Sequence, residues 1–292
     1  MNILSIQSHV VYGRVGNRVS VFALERMGHE LWPINTVQFS SHAGKQGYRG
    51  MAFGAEHIRD LVLGLENLNI FHLCDAVLTG YIGDSATGKA ITEAVLKVKA
   101  ANPKALYCCD PVMGDYPEGM YVKPALKEFF LKEAMPLADI AMPNVFEAEM
   151  LSGINIVDEA SALKAVLKIQ KLGPGLVIIT SYKENNGNTG FFAGADGKML
   201  KVLSPVLAFK NPPKGSGDLS TALFLGYYLK TRKLDLALEQ TLSSLYGILE
   251  ATLASELEFI STVTAQDLIA SPTSRFPVIK VQTGPKAMAV QF

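Results

Sequence analysis

The chain has no excess of charge of either sign, because 27 lysines and arginines are matched by 27 aspartates and glutamates. It also lacks any block of like charge. The basic segments that bind nucleic acid or an anionic membrane surface are therefore missing. We expect no nucleic acid and no membrane as a partner, and a small molecule as the ligand.

Long apolar runs and a basic amino-terminal segment are missing as well. The chain opens with Met1-Asn-Ile-Leu-Ser-Ile-Gln7, which has neither the charged nor the apolar region of a secretion signal. No stretch approaches the roughly 18 apolar residues that cross a bilayer. These absences predict a soluble, cytoplasmic protein.

Cysteine is scarce, and the five histidines are scattered. Cys74, Cys108 and Cys109 are odd in number and lack the paired spacing of a zinc site. Two adjacent cysteines cannot easily form a structural disulfide. We therefore expect buried free thiols, and no histidine pair stands at metal-ligand spacing.

Apolar residues are abundant, and they come in short runs that alternate with amphipathic segments. At 292 residues and 49% hydrophobic content, the chain can bury one large core. The alternation is typical of parallel strands joined by helical crossovers. Strands are predicted at Ile3–Ile6, Glu30–Asn35, Ala76–Thr79, Leu106–Cys109, Ile140–Met142 and Val177–Thr180, with a hairpin from Phe191 to Val202. Helices are predicted at about 17–27, 56–67, 86–100, 124–133, 144–151, 158–171, 217–230 and 234–254.

The predicted fold class is α/β, a three-layer α/β/α sandwich around a mainly parallel sheet. We expect one domain over residues 1–292, with a loose tail from about residue 271. Ligands bind such sheets outside the carboxyl ends of the strands. The polar residues that follow the predicted strands should therefore share one rim: Ser8, Gly80-Tyr81, Asp110-Pro111, Pro143-Asn144 with Glu147, and Ser181.

One motif carries most of the chemistry, namely Gly215-Ser216-Gly217-Asp218 directly before an apolar helical run. Two glycines let the backbone fold closely around an anion, and the N–H groups of a helix start then point at that anion. A carboxylate beside a phosphate makes sense when it accepts a proton from an attacking hydroxyl. The motif indicates phosphoryl transfer to an alcohol. The alternative is an ordinary glycine turn with Asp218 as a helix cap.

Other motifs are weaker. The segment Gly83 to Ala90 nearly satisfies the P-loop pattern but lacks its final hydroxyl, so a helix start is the favoured interpretation. Asp110, Asp115 and Glu147 are candidate magnesium ligands, with solvated loops or helix caps as the alternative. The polar stretch from Ser40 to Gly47 could act as a flap over a substrate.

A set of short motifs follows one another along the chain: Ser5–Val11 with Gly13 and Val15-Gly-Asn17, Asn35–Ser40 with His42, Thr79–Gly83, Cys109–Asp115, Pro143-Asn144 with Glu147, and Gly215–Asp218. In this order they resemble the pyridoxal kinases of the ribokinase-like superfamily. The resemblance runs from about residue 2 to about residue 255. Hydroxymethylpyrimidine kinases of that superfamily usually open differently from Gln7-Ser8-His9.

The resemblance implies an ATP- and magnesium-dependent kinase that phosphorylates the 5′-hydroxymethyl group of pyridoxal, and of pyridoxine and pyridoxamine, in vitamin B6 salvage. It implies Asp218 as the base and Gly215, Ser216 and Gly217 as the phosphoryl cradle. It also implies a homodimer, with a monovalent cation as a further candidate cofactor. The implied substrate residues are Ser8, Phe39, His42, Ala43, Gly44, Tyr81 and Asp218. The implied ATP residues are Asp110, Met142, Asn144, Glu147, Thr180, Ser181, Asn211, Pro212, Pro213 and Lys214, and the implied metal residues are Asp110, Asp115 and Glu147.

The chain departs from the family pattern at three positions. Ala43 replaces a threonine that commonly contacts the substrate, Met120 stands near a cysteine of some bacterial members, and Lys214 occupies a usually apolar position. Two alternatives stay open. One is a kinase of hydroxymethylpyrimidine or another small primary alcohol, and the other is a non-catalytic pyridoxal carrier.

Overall fold

The computed structural model describes residues 1–255 and 257–282, and ten strands within these ranges form one sheet. The strands are β1 Asn2–Val10, β2 Glu30–Phe39, β3 Gly50–Ala52, β4 Cys74–Thr79, β5 Leu106–Cys109, β6 Gly114–Asp115, β7 Gly119–Met120, β8 Ile140–Ala141, β9 Leu176–Lys183, β10 Asn188–Ala195, β11 Lys198–Pro205 and β12 Ile279–Lys280. The helices are α1 Asn17–Arg26, α2 Ala55–Asn67, α3 Ser85–Ala101, α4 Ala125–Phe129, α5 Val145–Ser152, α6 Glu159–Gln170, α7 Ser216–Thr231, α8 Leu234–Ser255 and α9 Asp267–Ala270.

The middle of the large sheet is parallel, and its two edges are antiparallel. The strand order is β12-β11-β10-β9-β8-β5-β4-β1-β2-β3, and all pairings from β9 to β2 are parallel. Strands β3 and β10 to β12 add antiparallel pairs at the two ends. Strands β6 and β7 form a separate hairpin. The predicted α/β class with a mainly parallel centre is confirmed.

Helices cover both faces of the sheet. Helices α2 to α6 pack with one apolar cluster, and α1 with α7 to α9 pack with the other. Strand β4 shows how the pleat divides its side chains, because Val77 belongs to the first cluster while Ala76 and Leu78 belong to the second. The three-layer arrangement follows. Within the described ranges, every helix falls short of the length or the apolarity needed to cross a bilayer.

The segment after residue 271 differs from the prediction of a loose tail. Ile279 and Lys280 pair with β11, and the side chain of Val281 is buried. This short segment, in which apolar and polar residues alternate, therefore forms an edge strand of the sheet. Residues 283–292 of the predicted tail lie outside the described residues.

Several other short elements escaped the sequence patterns. The helix predicted at 124–133 is α4 followed by a π-helical turn at Phe130–Ala134 and a 3-10 turn at Met135–Leu137. Strand β3 and the β6–β7 hairpin lie where only loops were expected. Two or three residues are too few to show a hydrophobic period. The cysteines are free and buried, as predicted.

Candidate active site

The carboxyl ends of the parallel strands meet at one rim. The N–H of Gly80 donates to the carbonyl of Ile6 (3.4 Å), the N–H of Asp110 donates to that of Thr79 (3.0 Å), and Thr180 donates to Pro143 (2.8 Å). Asn144 forms a parallel bridge with Thr180. The backbone ladder therefore brings the residues that follow β4, β5 and β8 beside the carboxyl-terminal halves of β1 and β9.

The Gly215–Asp218 motif opens α7 at this rim. Gly215 is the cap residue with φ +98°, and a Cβ there would lie 1.9 Å from the carbonyl oxygen of Arg14. A Cβ at Gly217 would meet open space. Among the described residues no side chain caps this helix, so its first N–H groups stay available to an anion. The alternative in which Asp218 serves as the helix cap is therefore wrong.

Asp218 lies in the first turn of α7, beside the loop that precedes α1. The N–H of Gly16 lies near its carboxylate, and a Cβ on Gly16 would lie 2.1 Å from the carbonyl oxygen of Ser8. Burial raises the pKa of Asp218 to about 6, and the N–H of Gly16 opposes that shift. The carboxylate is thus ionised at neutral pH but is a stronger base than an exposed aspartate.

A buried polar network fixes the loop that carries Gly16. Asn17 accepts a hydrogen bond from Ser5 (2.7 Å) and donates to the side chain of Asn35 (2.9 Å). Gln7 donates to Ser5 (2.9 Å). Because Gly16 directly precedes Asn17, this network also sets the position of the N–H that reaches Asp218.

Asp110 lies deep in the rim, close to the base of α7. The hydroxyl oxygen of Thr221 is 3.1 Å from Oδ2 of Asp110 and 3.1 Å from the carbonyl oxygen of Gly217. Burial raises the pKa of Asp110 well above its usual value, and the charges of Glu147 and Asp218 raise it further. Thr221 was missed at the sequence level, although it stands one helical turn after Asp218.

Glu147 is buried within a capping box at the start of α5. It accepts hydrogen bonds from the N–H groups of Asn144 and Met113, both at 2.9 Å, and the side chain of Asn144 accepts from the N–H of Glu147 (2.9 Å). Burial raises the pKa of Glu147, and these N–H donors oppose the shift. The side chain of Asn144 also donates to the carbonyl of Gly114 (2.8 Å), so α5 holds the hairpin.

The three predicted metal ligands do not form a complete site on their own. Across residues 1–255 and 257–282, no three His, Cys, Asp or Glu side chains stand close enough to hold an ion together. This corrects the expectation of a trio, because Glu147 is occupied by backbone N–H groups and Asp115 lies out on the hairpin. The donor chemistry nevertheless fits a cation that also has phosphate and water ligands, since Asp110 is a buried carboxylate beside other carboxylates.

Tyr121 stands close to four carboxylates, although the sequence analysis did not single it out. Burial raises the pKa of its phenol, and so do the negative charges of Glu147, Asp115, Asp110 and Asp218. Its N–H donates to the carbonyl of Met113 (3.0 Å), which ties it to the hairpin. The rim is therefore rich in carboxyl groups, and their mutual repulsion contributes to the raised pKa of Asp110.

The predicted ring-binding residues gather beside Ser8. Ser8 is buried where the pairing of β1 with β2 is irregular, and Thr36 donates to the carbonyl of Tyr81 (2.7 Å). The ring of Phe39 lies 5.1 Å from that of Tyr48. Burial raises the pKa of Tyr81, and Tyr48 adds to the shift. Tyr48 thus joins the group, although sequence reasoning missed it.

The flap predicted from Ser40 to Gly47 reaches across to the segment after α8. Nζ of Lys45 lies 2.6 Å from Oε2 of Glu258 and 5.2 Å from the centre of the Tyr12 ring. Ala43 and Gly44 are exposed in this flap, and His42 is half-buried. Burial lowers the pKa of His42, and the charges of Lys214 and Lys45 lower it further.

A cavity of about 340 Å³ opens beside the hairpin, and Asp115, Ser181 and Lys183 are among its lining residues. Ser181 has φ +57° and is exposed at a bulge between β9 and β10, which turns it away from the sheet. Lys183, two residues further along β9, had no signal in the sequence.

The remaining predicted ATP residues are divided between the surface and the core. Asn211, Pro212 and Lys214 are exposed before α7, and Pro213 is buried. The side chain of Met142 is only 1% exposed and belongs to the core cluster of α7 and α8, which corrects its prediction as an ATP contact.

The P-loop-like segment is an ordinary helix start. The carboxylate of Asp84 accepts a hydrogen bond from the N–H of Thr87 (2.8 Å) and caps α3. A side chain therefore already occupies the place that a phosphate would need.

Residues 69–260 match the family model described as phosphomethylpyrimidine kinase. The protein named pyridoxal kinase PdxY from Rubrobacter xylanophilus is 43% identical over 286 residues, covering 96% of this chain and 98% of that protein. The protein of the same name from Corynebacterium diphtheriae is 39% identical and matches 96% of this chain and 100% of its own. The solved structure of pyridoxal kinase from Leishmania donovani in complex with ADP and pyridoxamine has a TM-score of 0.90 at 28% identity, covering 96% and 99% of the two chains.

Proposed function

Since the chain belongs to the pyridoxal kinase family, we propose which of its residues carry out the family reaction. It is an ATP-dependent kinase that phosphorylates pyridoxal. The Leishmania donovani structures are complexes with ADP and pyridoxamine or pyridoxine, and we extend the proposal to these two vitamers here. The product of the pyridoxal reaction is the 5′-phosphate.

Asp218 is the proposed base. Its carboxylate accepts the proton of the 5′-hydroxymethyl group while that oxygen forms a bond to the γ-phosphorus, and the bond from phosphorus to the β-γ bridging oxygen breaks to release ADP. The observation that carries the proposal is its place beside the uncapped first turn of α7, near the N–H of Gly16. The raised pKa of Asp218 suits this role.

The N–H groups of Gly215, Ser216 and Gly217 are proposed to bind the transferring phosphoryl group. They are aimed by the helix and need no reorganisation when negative charge develops in the transition state. Phosphoryl transfer asks mostly for positioning and charge neutralisation, and fixed backbone donors supply both.

The two substrates are proposed to bind on opposite sides of the cradle. Ser8 hydrogen-bonds the pyridine ring, Phe39 and Tyr81 flank it, and the flap with His42, Ala43 and Gly44 closes over it. The ATP residues lie toward the hairpin: Asp110, Asn144, Glu147, Thr180, Ser181, Asn211, Pro212, Pro213 and Lys214.

Magnesium is the proposed ion that accompanies ATP. Asp110 would hold it together with phosphate oxygens and water, and Glu147 would orient the loop through its bonds to Met113 and Asn144. When bound, the ion neutralises phosphate charge. A monovalent cation is a second candidate cofactor, to be tested by comparing potassium with a large organic cation.

The proposal also places the protein in the cytoplasm as a homodimer. The observation that supports a cytoplasmic location is the set of free buried thiols. The homodimer rests on the family resemblance alone, and sedimentation velocity of the purified chain tests it.

The first experiment is product formation by the purified protein with ATP and magnesium. Pyridoxal and hydroxymethylpyrimidine are assayed in parallel, because the matching family model is named for a pyrimidine kinase. We expect the 5′-phosphate from pyridoxal at a much higher kcat/KM. A higher kcat/KM with hydroxymethylpyrimidine would mean that the pyrimidine is the preferred substrate. Pyridoxal binding without any product would favour the carrier alternative.

A further inference from the structure

Lys214 stands directly before the phosphoryl cradle and connects it to two other parts of the rim. Its backbone forms a parallel bridge with Phe259. Its Nζ lies 3.0 Å from Oε1 of Glu118, in the turn between β6 and β7. The backbone is therefore held, while the ammonium group is tied to the hairpin by one contact.

The charge of Lys214 reaches both sides of the site. Burial raises the pKa of Asp115 on the hairpin and the charge of Lys214 opposes that shift, while burial lowers the pKa of His42 in the flap and the charge of Lys214 lowers it further. The groups near it are mostly acidic, and Lys183 is the other cation that acts on Asp115. A phosphoryl group with two negative charges would be repelled by these acids unless cations lie beside it. Lys214 is such a cation, and it directly precedes the proposed cradle.

The ion pair with Glu118 is easily exchanged. Both side chains are 51% exposed, and a solvent-exposed ion pair is weakly held. A phosphate at the start of α7 carries more negative charge than Glu118 and would be less exposed to water, so it would attract the ammonium group more strongly. Lysine also has a long, rotatable stem that lets one ammonium serve two anions in turn.

We propose that Lys214 is a further catalytic residue, whose ammonium leaves Glu118 and binds an oxygen of the γ-phosphate of ATP. It stays protonated throughout, so no proton and no covalent bond are transferred to it. The inference rests on the proposed cradle at Gly215 to Gly217. Glu118 is then the resting partner that holds the ammonium near the cradle before ATP arrives.

Binding experiments test this without turnover. The Kd values of ADP and of a non-hydrolysable ATP analogue are compared for wild type, Lys214→Met, Lys214→Arg and Glu118→Gln. Loss of one charge-assisted hydrogen bond to the γ-phosphate weakens the analogue by roughly 10- to 100-fold in Lys214→Met, with ADP changed about twofold or less. Lys214→Arg retains most of the affinity for the analogue.

The Glu118→Gln variant distinguishes two roles of Lys214, a direct contact with the phosphate and a purely structural ion pair with Glu118. Freed from its resting partner, Lys214 should bind the analogue as tightly as in wild type or more tightly. If Glu118→Gln and Lys214→Met weaken ADP and the analogue equally, Lys214 only fastens the hairpin and the proposal is overturned. Unchanged affinity for both nucleotides in Lys214→Met overturns it as well.

Activity measurements separate this inference from the proposed function. Wild-type protein that forms no pyridoxal 5′-phosphate contradicts the function, whatever Lys214 does. Wild-type protein that is active beside a Lys214→Met variant of equal kcat contradicts the inference alone. We expect kcat of Lys214→Met to fall roughly 10- to 100-fold, and Glu118→Gln to stay within about twofold of wild type.

Discussion

Asp218 lies at a helix start that is proposed to bind an anion, where a second negative charge is unfavourable. Its pKa of about 6 lets it give up that charge by accepting a proton. A base with this pKa is mostly ionised at neutral pH, yet it accepts a proton more readily than an exposed aspartate. Burial raises the pKa of this carboxyl, and the nearby N–H of Gly16 opposes the shift only in part.

Replacing Asp218 by Asn removes the base and keeps the shape of the side chain. We expect kcat to fall by about 10²- to 10⁴-fold, with the Kd of ATP nearly unchanged. Asp267→Asn is the matched control, because that carboxylate is 87% exposed in a surface pair with Arg26. Near-normal turnover in the Asp218 variant would remove this residue from the catalytic role.

The pH dependence follows from the same carboxylate. Protonation below its pKa removes the base, so kcat/KM of the wild type should fall tenfold per pH unit below about pH 6. The Asp218→Asn variant should lose this acidic limb in its residual activity. Rates that do not change between pH 5 and pH 7 would mean that another group accepts the proton.

At the residue scale, the sequence predicted the candidate site residues that follow strands. It missed those that reach the rim from a helix or from the hairpin. Ser8, Asp110 and Asn144 all follow strand patterns, and the structure places them at one rim. Thr221 and Tyr121 reach the same rim from a helix face and a hairpin, and the identity of neither residue signals such a contact. Met142 shows the opposite error, since a strand-end position can also face the core.

Among the elements, α7 begins with the proposed cradle, and the two glycines there have different reasons to be glycine. Gly215 needs a positive φ and has no room for a Cβ next to Arg14, whereas Gly217 has helical geometry and open space. The first glycine is required by the fold, and the second is available to a ligand.

Alanine at each of these two positions should separate stability from catalysis. Gly215→Ala should lower the free energy of unfolding by at least about 1–3 kcal/mol, because of backbone strain and the clash with Arg14. Gly217→Ala should leave stability unchanged or slightly higher, since alanine favours a helix, but lower kcat because its methyl group points to where the phosphoryl group is proposed. Thermal unfolding and kcat are measured on both. Full activity in Gly217→Ala would mean that the phosphate binds elsewhere.

The ion pair of Lys45 with Glu258 is an exposed contact of the flap, so its contribution is small and measurable. Lys45→Met removes the contact with Glu258, and we expect KM for pyridoxal to rise by up to about fivefold with kcat little changed. Glu258→Gln should give the same result because it breaks the same pair. A change in KM for ATP in place of that for pyridoxal would assign the flap to the nucleotide side.

At the element scale, the sequence predicted the long helices and strands closely. Helix α8, predicted at 234–254, spans Leu234–Ser255, because a long amphipathic or apolar run has a clear period. The β6–β7 hairpin and β3 have two or three residues each, and their pairing is set by tertiary contacts such as the bond from Asn144 to Gly114. The hydrophobic pattern of the sequence therefore does not predict short elements such as these, even where they lie beside the candidate site.

Over the whole molecule, buried acids make stability depend on pH. Asp110, Glu147 and Asp218 have higher pKa values in the folded chain than in the unfolded chain, that of Glu147 reaching about 8. Between the unfolded values near 4 and about 8, the folded chain therefore binds more protons than the unfolded chain. The free energy of unfolding must fall as the pH rises through this window.

Thermal unfolding at pH 5.5 and pH 8.5 checks this trend without substrates. We expect a lower Tm at pH 8.5, corresponding to about 1–5 kcal/mol of lost stability. Magnesium chloride should raise Tm more at pH 8.5 than at pH 5.5, because deprotonated carboxylates bind the ion. Sodium chloride at equal ionic strength is the control, and an equal response to both salts would contradict a magnesium site among these acids.

The prediction of one domain over the whole chain also belongs to this scale. A single domain should unfold by urea in one cooperative transition, with fluorescence and circular dichroism giving the same midpoint. Two separated transitions would contradict it. The sheet order supports the prediction, because β1 lies between β2 and β4 and joins the two sides of one continuous sheet.

The close approach of Gly215 to Arg14 has a consequence for biosynthesis. The two backbones meet across about two hundred positions of sequence. A chain still emerging from the ribosome can hold Ser8, the flap and the parallel strands, but it has neither base nor cradle until α7 has left the exit tunnel. On the proposed assignment of base and cradle, phosphoryl transfer therefore begins only when the carboxyl-terminal helices dock against the loop made first.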